Sequence, residues 1–156
     1  MKKIPWTLFA LVMLLALAAC GGSGENGGDA LKTTSASGDV VAVELPSGWS
    51  LISGTDMHGV DLADFICHAE EFELGDPYLQ AQEYFGGIEA AQAVLESEDP
   101  YGTYTGTKEL ANGTWYLAEN AAAAQLGEKA LIVKGYQCDF GSDEIQSILG
   151  SLQWLQ

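Results

Sequence analysis

Three thiols and two imidazoles are the strongest nucleophiles and metal ligands in this chain: Cys20, Cys67, Cys138, His58 and His68. A cysteine nucleophile needs a base within hydrogen-bond reach of its sulfur. His68 follows Cys67 directly, but adjacent residues of a strand point to opposite faces, so His68 is badly placed to serve Cys67. The CxxC and HxxxH spacings of a zinc site are missing. That leaves a disulfide, or two buried thiols, for Cys67 and Cys138. Both fall in expected strands. Cys67 is in phase with Phe65 and Ala69, and Cys138 with Ile132, Tyr136 and Phe140, so both sulfurs could face a core and meet. A bridge closing a loop of about 70 residues is worth roughly 4 kcal/mol in the chain-entropy model, less any strain.

Other residue patterns carry weaker chemistry. Glu70, Glu71 and Glu73 form one carboxylate cluster, and Glu96, Glu98 and Asp99 another. Paired carboxylates can hydrolyse glycosidic bonds, which makes a hydrolase the alternative to a binding protein. Clusters flanking helices and turns are in the first place solvated surface. Asp56 to Asp61 falls short of a calcium loop, because its third and fifth positions are His58 and Val60 instead of oxygen ligands. No GxSxG, HExxH or P-loop pattern occurs, and no cofactor is expected. Tyr101 and Tyr104 stand in a Gly/Thr-rich stretch, where they line a ligand surface or simply pack a sheet. Asn112-Gly113-Thr114 matches a glycosylation acceptor and equally a hairpin turn.

The elements that must position these residues follow from patterning. Val40 to Leu45 reads as a strand, Pro46-Ser47-Gly48 as a turn and Trp49 to Ser53 as a second strand. Gly54 to Leu62 reads as a loop, and Phe65 to Ala69 as a third strand. Asp76-Pro77 has the form of a helix start, an Asp cap followed by Pro in the first turn, which predicts a helix to Phe85. Gly86-Gly87 ends it. A second helix over Ile88 to Ser97 places Ile88, Ala91, Val94 and Leu95 on one face. Tyr101 to Leu110 and Thr114 to Glu119 read as a hairpin, and Lys129 to Phe140 as a central strand. Ser142 caps a last helix with Asp143 and Glu144 in its first turn and a face of Ile145, Ile148, Leu149 and Leu152. Strands, helices, strands and helix in that order argue for an α+β domain with a mainly antiparallel sheet flanked by helices.

Composition narrows the function classes. The 156 residues suffice for one domain, and a hydrophobic content of 47% supports a packed core. The net charge is −16, with 22 acidic residues, six lysines and no arginine. Nucleic-acid binding needs clustered Lys and Arg to displace phosphate counterions, so that class is excluded. The charge serves solubility; a cationic partner or a weakly held divalent cation are the ligands it would suit.

The first twenty residues address location. Lys2 and Lys3 precede an apolar run from Ile4 to Ala19 that ends in Leu17-Ala18-Ala19-Cys20-Gly21. A bilayer span takes about 20 apolar residues, so the run is short for a permanent helix and suits a signal peptide. Leu17 to Cys20 resembles the lipobox of bacterial lipoproteins, including the small residue after the cysteine. The resemblance implies transfer of a diacylglyceryl group to the Cys20 thiol and cleavage before Cys20. Residues 1–19 are then a signal peptide, 20–38 a lipid-anchored glycine-rich tether and 39–156 one globular domain. The domain would face outside the cytoplasm, held to the membrane through Cys20, with a protein or small-molecule partner still to be identified.

Two further stretches carry a second likeness. Val43-Glu44-Leu45-Pro46-Ser47-Gly48-Trp49 resembles the opening motif of PsbP-like domains, and Ile148 to Trp154 resembles their closing helix and final short strand. This resemblance implies an α/β/α sandwich around an antiparallel sheet. The family includes accessory and binding proteins, often without catalysis, so the fold alone would not carry a function.

Overall fold

The computed structural model describes residues 33–59 and 62–155. The apolar segment, Cys20 and residues 21–32 lie outside the described residues.

The first element is β1 (Thr33–Ser37), which pairs antiparallel with β2 (Val41–Pro46), Thr33 opposite Pro46 and Ser37 opposite Ala42. The tether expected to run to Gly38 therefore gives way to a strand at Thr33. Threonine and serine suit an exposed edge strand, and β2 offers the ladder that a chain of small polar residues cannot form alone. After a turn at Ser47-Gly48 the chain enters β3 (Ser50–Ile52). Gly54–His58 then forms a short helix, α1, where a loop was expected. Ser53 caps it by accepting from the Asp56 N–H at 3.1 Å, and Gly59 closes it in the left-handed region at φ 72°.

β4 (Ala63–Cys67) and β5 (Tyr78–Glu83) follow, paired antiparallel. β5 replaces the helix expected from Asp76 to Phe85. The reason is a period of two: Leu79 and Ala81 are buried, while Tyr78, Gln80 and Gln82 lie on the other face. Asp76 accepts from the Glu73 N–H at 2.8 Å, closing the preceding turn instead of capping a helix. α2 (Gly87–Glu96) buries Ala91 and Leu95, two of the four apolar positions expected to face inward.

β6 (Tyr104–Leu110) and β7 (Gly113–Ala118) form the expected hairpin. β8 (Ala121–Leu126) is an additional strand, four consecutive alanines buried on both faces, and it pairs with β7 and with β9 (Lys129–Tyr136). α3 (Asp143–Ser151) starts at Ser142, whose hydroxyl accepts from the Ile145 N–H, and β10 (Gln153–Trp154) closes the chain against β2.

The fold is α+β with two antiparallel sheets. One runs β1-β2-β10, and the other β3-β4-β5-β9-β8-β7-β6, with β9 at its centre as expected. The main core lies between the inner face of the large sheet (Ile66, Leu79, Leu117, Ala122, Leu131, Val133) and a layer made of β2 and α3 (Val41, Val43, Ile145, Ile148, Leu149). A second core lies on the outer face, where α2 covers only β7, β8 and β9 through Ala91, Leu95, Ala118, Ala121, Ala123 and Ile132. The outer face over β4 and β5 carries only α1 and a loop holding Phe72, around Ala63, Phe65 and Cys67. This unequal cover creates the site described next.

Candidate functional site

The sequence-predicted residues are dispersed. Cys20 lies outside the described residues. Cys67 and Cys138 are free thiols, the second of the two alternatives for this pair. Cys67 ends β4 on the outer face, packed with Phe65 and Tyr78, whereas Cys138 packs against the main core near Phe140. Gln137 at φ 54° ends the β9 phase, which removes the parity that had placed Cys138 in line with Tyr136. The Cys138 Sγ instead lies 3.4 Å from the Tyr78 carbonyl and 3.3 Å from that of Tyr136. Burial raises both thiols to about 11; Asp76 adds to the shift at Cys67, while a backbone hydrogen bond at Tyr136 opposes it at Cys138. Neither is an activated nucleophile, because the thiolate is the reactive form.

Tyr101 and Tyr104 are half-buried. They pack with Tyr84, Ile88 and Tyr116 around the core beneath α2, and burial is the main cause that raises both phenols. Glu70, Glu71 and Glu73 are exposed on the β4–β5 loop, and Glu96, Glu98 and Asp99 are exposed where α2 ends. Among the described residues, no group of three His, Cys, Asp or Glu side chains is placed to hold a metal. His58 sets its ring edge-on to Phe65, centroids 5.2 Å apart at 75°, and His68 lies tilted against Trp49 at 4.9 Å. Both imidazoles are used in aromatic packing.

The feature that could take a ligand is the part of the outer sheet face that α2 leaves open. Three cross-strand rows build it. Cys67, Tyr78 and Tyr136 share the first; Phe65, Gln80 and Lys134 the second; Ala63, Gln82 and Ile132 the third. Cys67, Phe65, Ala63 and Ile132 are buried, Ile132 beneath α2, so the side chains that reach the surface are Tyr78, Tyr136, Gln80, Lys134 and Gln82. Rows two residues apart are roughly 7 Å apart, so the three cover roughly 14 Å of sheet. Tyr78 and Tyr136 stack at 5.6 Å and 22°. At the far end a cleft of about 300 Å³ opens over Ala63 and Phe65, lined also by Gly54, His58, Gln80 and Gln82. Leu62 and Phe85 rim it, 64% and 84% exposed.

Charge and hydrogen bonding set this face apart. None of the nine side chains in its rows is a carboxylate, on a chain with 22 of them. Glu83, which borders the cleft, is paired with Lys129 at 2.7 Å. Among the described residues the side chains of Gln80, Gln82 and Lys134 make no hydrogen bond or ion pair to protein groups, and they are half-buried. Each amide offers two donors and an acceptor, and the ammonium three donors.

A larger cleft, about 820 Å³, opens between the β8–β9 turn and β10. Two of its polar side chains are already engaged, while Glu128 and Gln153 make no side-chain hydrogen bond among the described residues. Asn112 donates to the carbonyls of Leu149 and Leu152 at 2.8 and 2.9 Å and accepts from Trp115 Nε1 at 2.8 Å, and Lys129 is held by Glu83. That cleft is a seam in the fold. The face over β5 combines half-buried polar groups that lack a protein partner with the exposed apolar rims of Leu62 and Phe85, which is the composition of a ligand site.

Sequence patterning misses this face because Asp76-Pro77 predicts a helix to Phe85, where the chain forms β5. The signal was present in Tyr78-Leu79-Gln80-Ala81-Gln82, which alternates strictly. The chain matches no family model, no curated protein and no solved structure.

Proposed function

We propose that the chain is a lipid-anchored, extracytoplasmic binding module without catalytic activity. The lysines, the short apolar run and the Leu17-Ala18-Ala19-Cys20 tetrapeptide support the anchor. A diacylglyceryl group on Cys20 supplies two acyl chains, enough for stable attachment where one chain holds only marginally. Among the described residues no helix is long and apolar enough to cross a membrane. The net charge of −16 repels an anionic lipid surface and favours a domain that stands off the bilayer.

The observation that carries the binding role is the open sheet face, where unpaired Gln80, Gln82 and Lys134 sit between exposed Phe85 and Tyr136. Binding is favoured over hydrolysis because the carboxylate clusters stand exposed on loops, away from this cleft. Helices on both faces of the large sheet and the short closing strand β10 also agree with the layering of PsbP-like domains.

Expression of the full chain in a bacterial host, membrane fractionation and mass spectrometry of the N-terminal peptide test the anchor. The mature chain should begin at an acylated Cys20, and Cys20→Ser should shift it to the soluble fraction. A membrane-bound chain with an intact N-terminus at Met1 overturns the proposal.

A further inference from the structure

We infer that the open face over β5 and β9 binds a saccharide that carries a carboxylate. The inference rests on the binding role proposed above and names its ligand. Its starting point is an asymmetry of charge. Carboxylates crowd the rest of the chain, yet the rows through Tyr78, Gln80 and Gln82 hold none and have Lys134 near their centre. Lys134 is opposite Gln80 in the β5–β9 register, so both side chains leave the same face. No carboxylate of the described residues lies within ion-pair distance of Lys134. Locally, an ammonium in that position, with no acidic group in its rows, complements a single carboxylate delivered from outside; the chain's net charge of −16 works against further anionic groups on the ligand.

The neighbours of Lys134 specify what else the ligand must offer. Two amides two residues apart on one strand, Gln80 and Gln82, present donors and acceptors in a line. Such a pair matches a ligand with a row of hydroxyls, each able to donate and accept. Rings stand at both ends of the strip: Tyr136, 44% exposed and stacked on Tyr78, and Phe85, 84% exposed. An aromatic face carries partial negative charge and attracts the polarised C–H groups of a sugar ring's flat side. The strip is shallow and open, so it suits a chain laid across the strands better than a small molecule enclosed on all sides. Rings at the ends, amides between them and one cation combine into recognition of an acidic oligosaccharide.

Titration of the full chain, held in a detergent without a sugar headgroup, with tetragalacturonate tests the inference, with cellotetraose as the neutral control. Calorimetry and amide chemical-shift mapping are the readouts. Tetragalacturonate should bind in the micromolar to millimolar range, with shifts centred on Gln80, Gln82 and Lys134, and cellotetraose at least 10-fold more weakly. Lys134→Met should remove the preference for the acidic ligand while leaving the circular dichroism unchanged, and Tyr136→Ser should weaken both sugars. Absence of tetragalacturonate binding, or binding unchanged in Lys134→Met and Tyr136→Ser, overturns the inference. A folded protein cross-linking to this face, with neither sugar bound, also overturns it while leaving the binding role intact. Failure of acylation at Cys20 bears on the anchor alone.

Discussion

Gly38 lies against Asp64 so closely that a Cβ on the glycine would stand 2.3 Å from the Asp64 Cγ. The contact exists because the Asp64 carboxylate, fully buried in β4, accepts three consecutive backbone N–H groups, from Asp39 at 2.8 Å, Val40 at 2.7 Å and Val41 at 2.8 Å. The turn between β1 and β2 is wrapped on this side chain, and it fastens the small sheet to the large one. Asp39 continues the fastening by accepting from the Thr55 N–H at 2.8 Å, which holds its own carboxyl below the usual range. Asp64→Ala would leave three N–H groups without their acceptor, each buried orphan costing about 1–3 kcal/mol. The expected loss is therefore at least about 3 kcal/mol, with a fall in Tm of roughly 10 °C or more for a domain of this size. Gly38→Ala should destabilise through the clash without removing any acceptor. Thermal unfolding of Asp64→Ala within 2 °C of the wild type would contradict this account.

Asn112 makes a second fastening of the same kind. Its amide caps two carbonyls at the end of α3 and its oxygen takes the indole N–H of fully buried Trp115. Asn112→Ala should cost about 2–3 kcal/mol, because the indole N–H and the carbonyls lose their partner together. Asn112→Asp keeps the acceptor for Trp115 but turns a carboxylate oxygen toward the two carbonyls that the amide serves, and should cost at least as much as Asn112→Ala. Urea denaturation followed by tryptophan fluorescence gives the ranking, and an Asn112→Asp variant as stable as the wild type would refute it.

These fastenings mark the boundary of what was legible in the sequence. The α+β class, the hairpin around Asn112, the central strand at Lys129 and the helix capped at Ser142 follow from local signals, and local contacts satisfy them. The Asp76-Pro77 pair was read as a helix cap because Asp before Pro serves both caps and turns; which one forms is decided by whether Leu79 and Ala81 find the core, a long-range fact. Ala121 to Ala124 gives no period at all, since alanine favours helix and its burial on both faces depends on α2 above and β2 with α3 below. The site suffered most. Tyr101 and Tyr104 stand in a Gly/Thr-rich stretch that suits a ligand surface or sheet packing, and they pack beneath α2, whereas Gln80, Gln82 and Lys134 become a face only through the β5–β9 register.

The two thiols should be slow to react in the native state. With both raised to about 11 by burial, the thiolate is about 0.1% of each at pH 8, against about a quarter for a free cysteine. Alkylation by iodoacetamide at pH 8 should therefore run about 200-fold slower in the native protein than in urea, for both Cys67 and Cys138. Equal rates at either position would show that its burial is wrong.

The same groups fix a direction for alkaline stability. A thiol whose folded value lies above its unfolded one binds its proton more tightly in the native state. Its contribution is fully present below about pH 8.5 and is lost as pH rises toward 11. Tyr101 and Tyr104, raised by burial beneath α2, extend the loss beyond pH 10. Tm should decline across this window, and the double variant Cys67→Ala with Cys138→Ala should decline less steeply than the wild type between pH 8.5 and 10. A parallel decline in both proteins would remove the thiols from the account.

The rim of the open face separates residues kept for contact from residues kept for the fold. Phe85 and Leu62 bury little, so Phe85→Ser and Leu62→Ser should change stability by less than about 0.5 kcal/mol. Phe65 lies beneath them, buried and in contact range of the His58 and Tyr78 rings, and Phe65→Ala should cost about 3–5 kcal/mol. Two large apolar side chains that contribute nothing to folding carry a solubility cost on a chain otherwise covered with carboxylates. If they serve a ligand, Phe85→Ser should weaken tetragalacturonate binding several-fold at unchanged Tm. A large fall in Tm for Phe85→Ser would instead make its ring part of the core and withdraw it from the site.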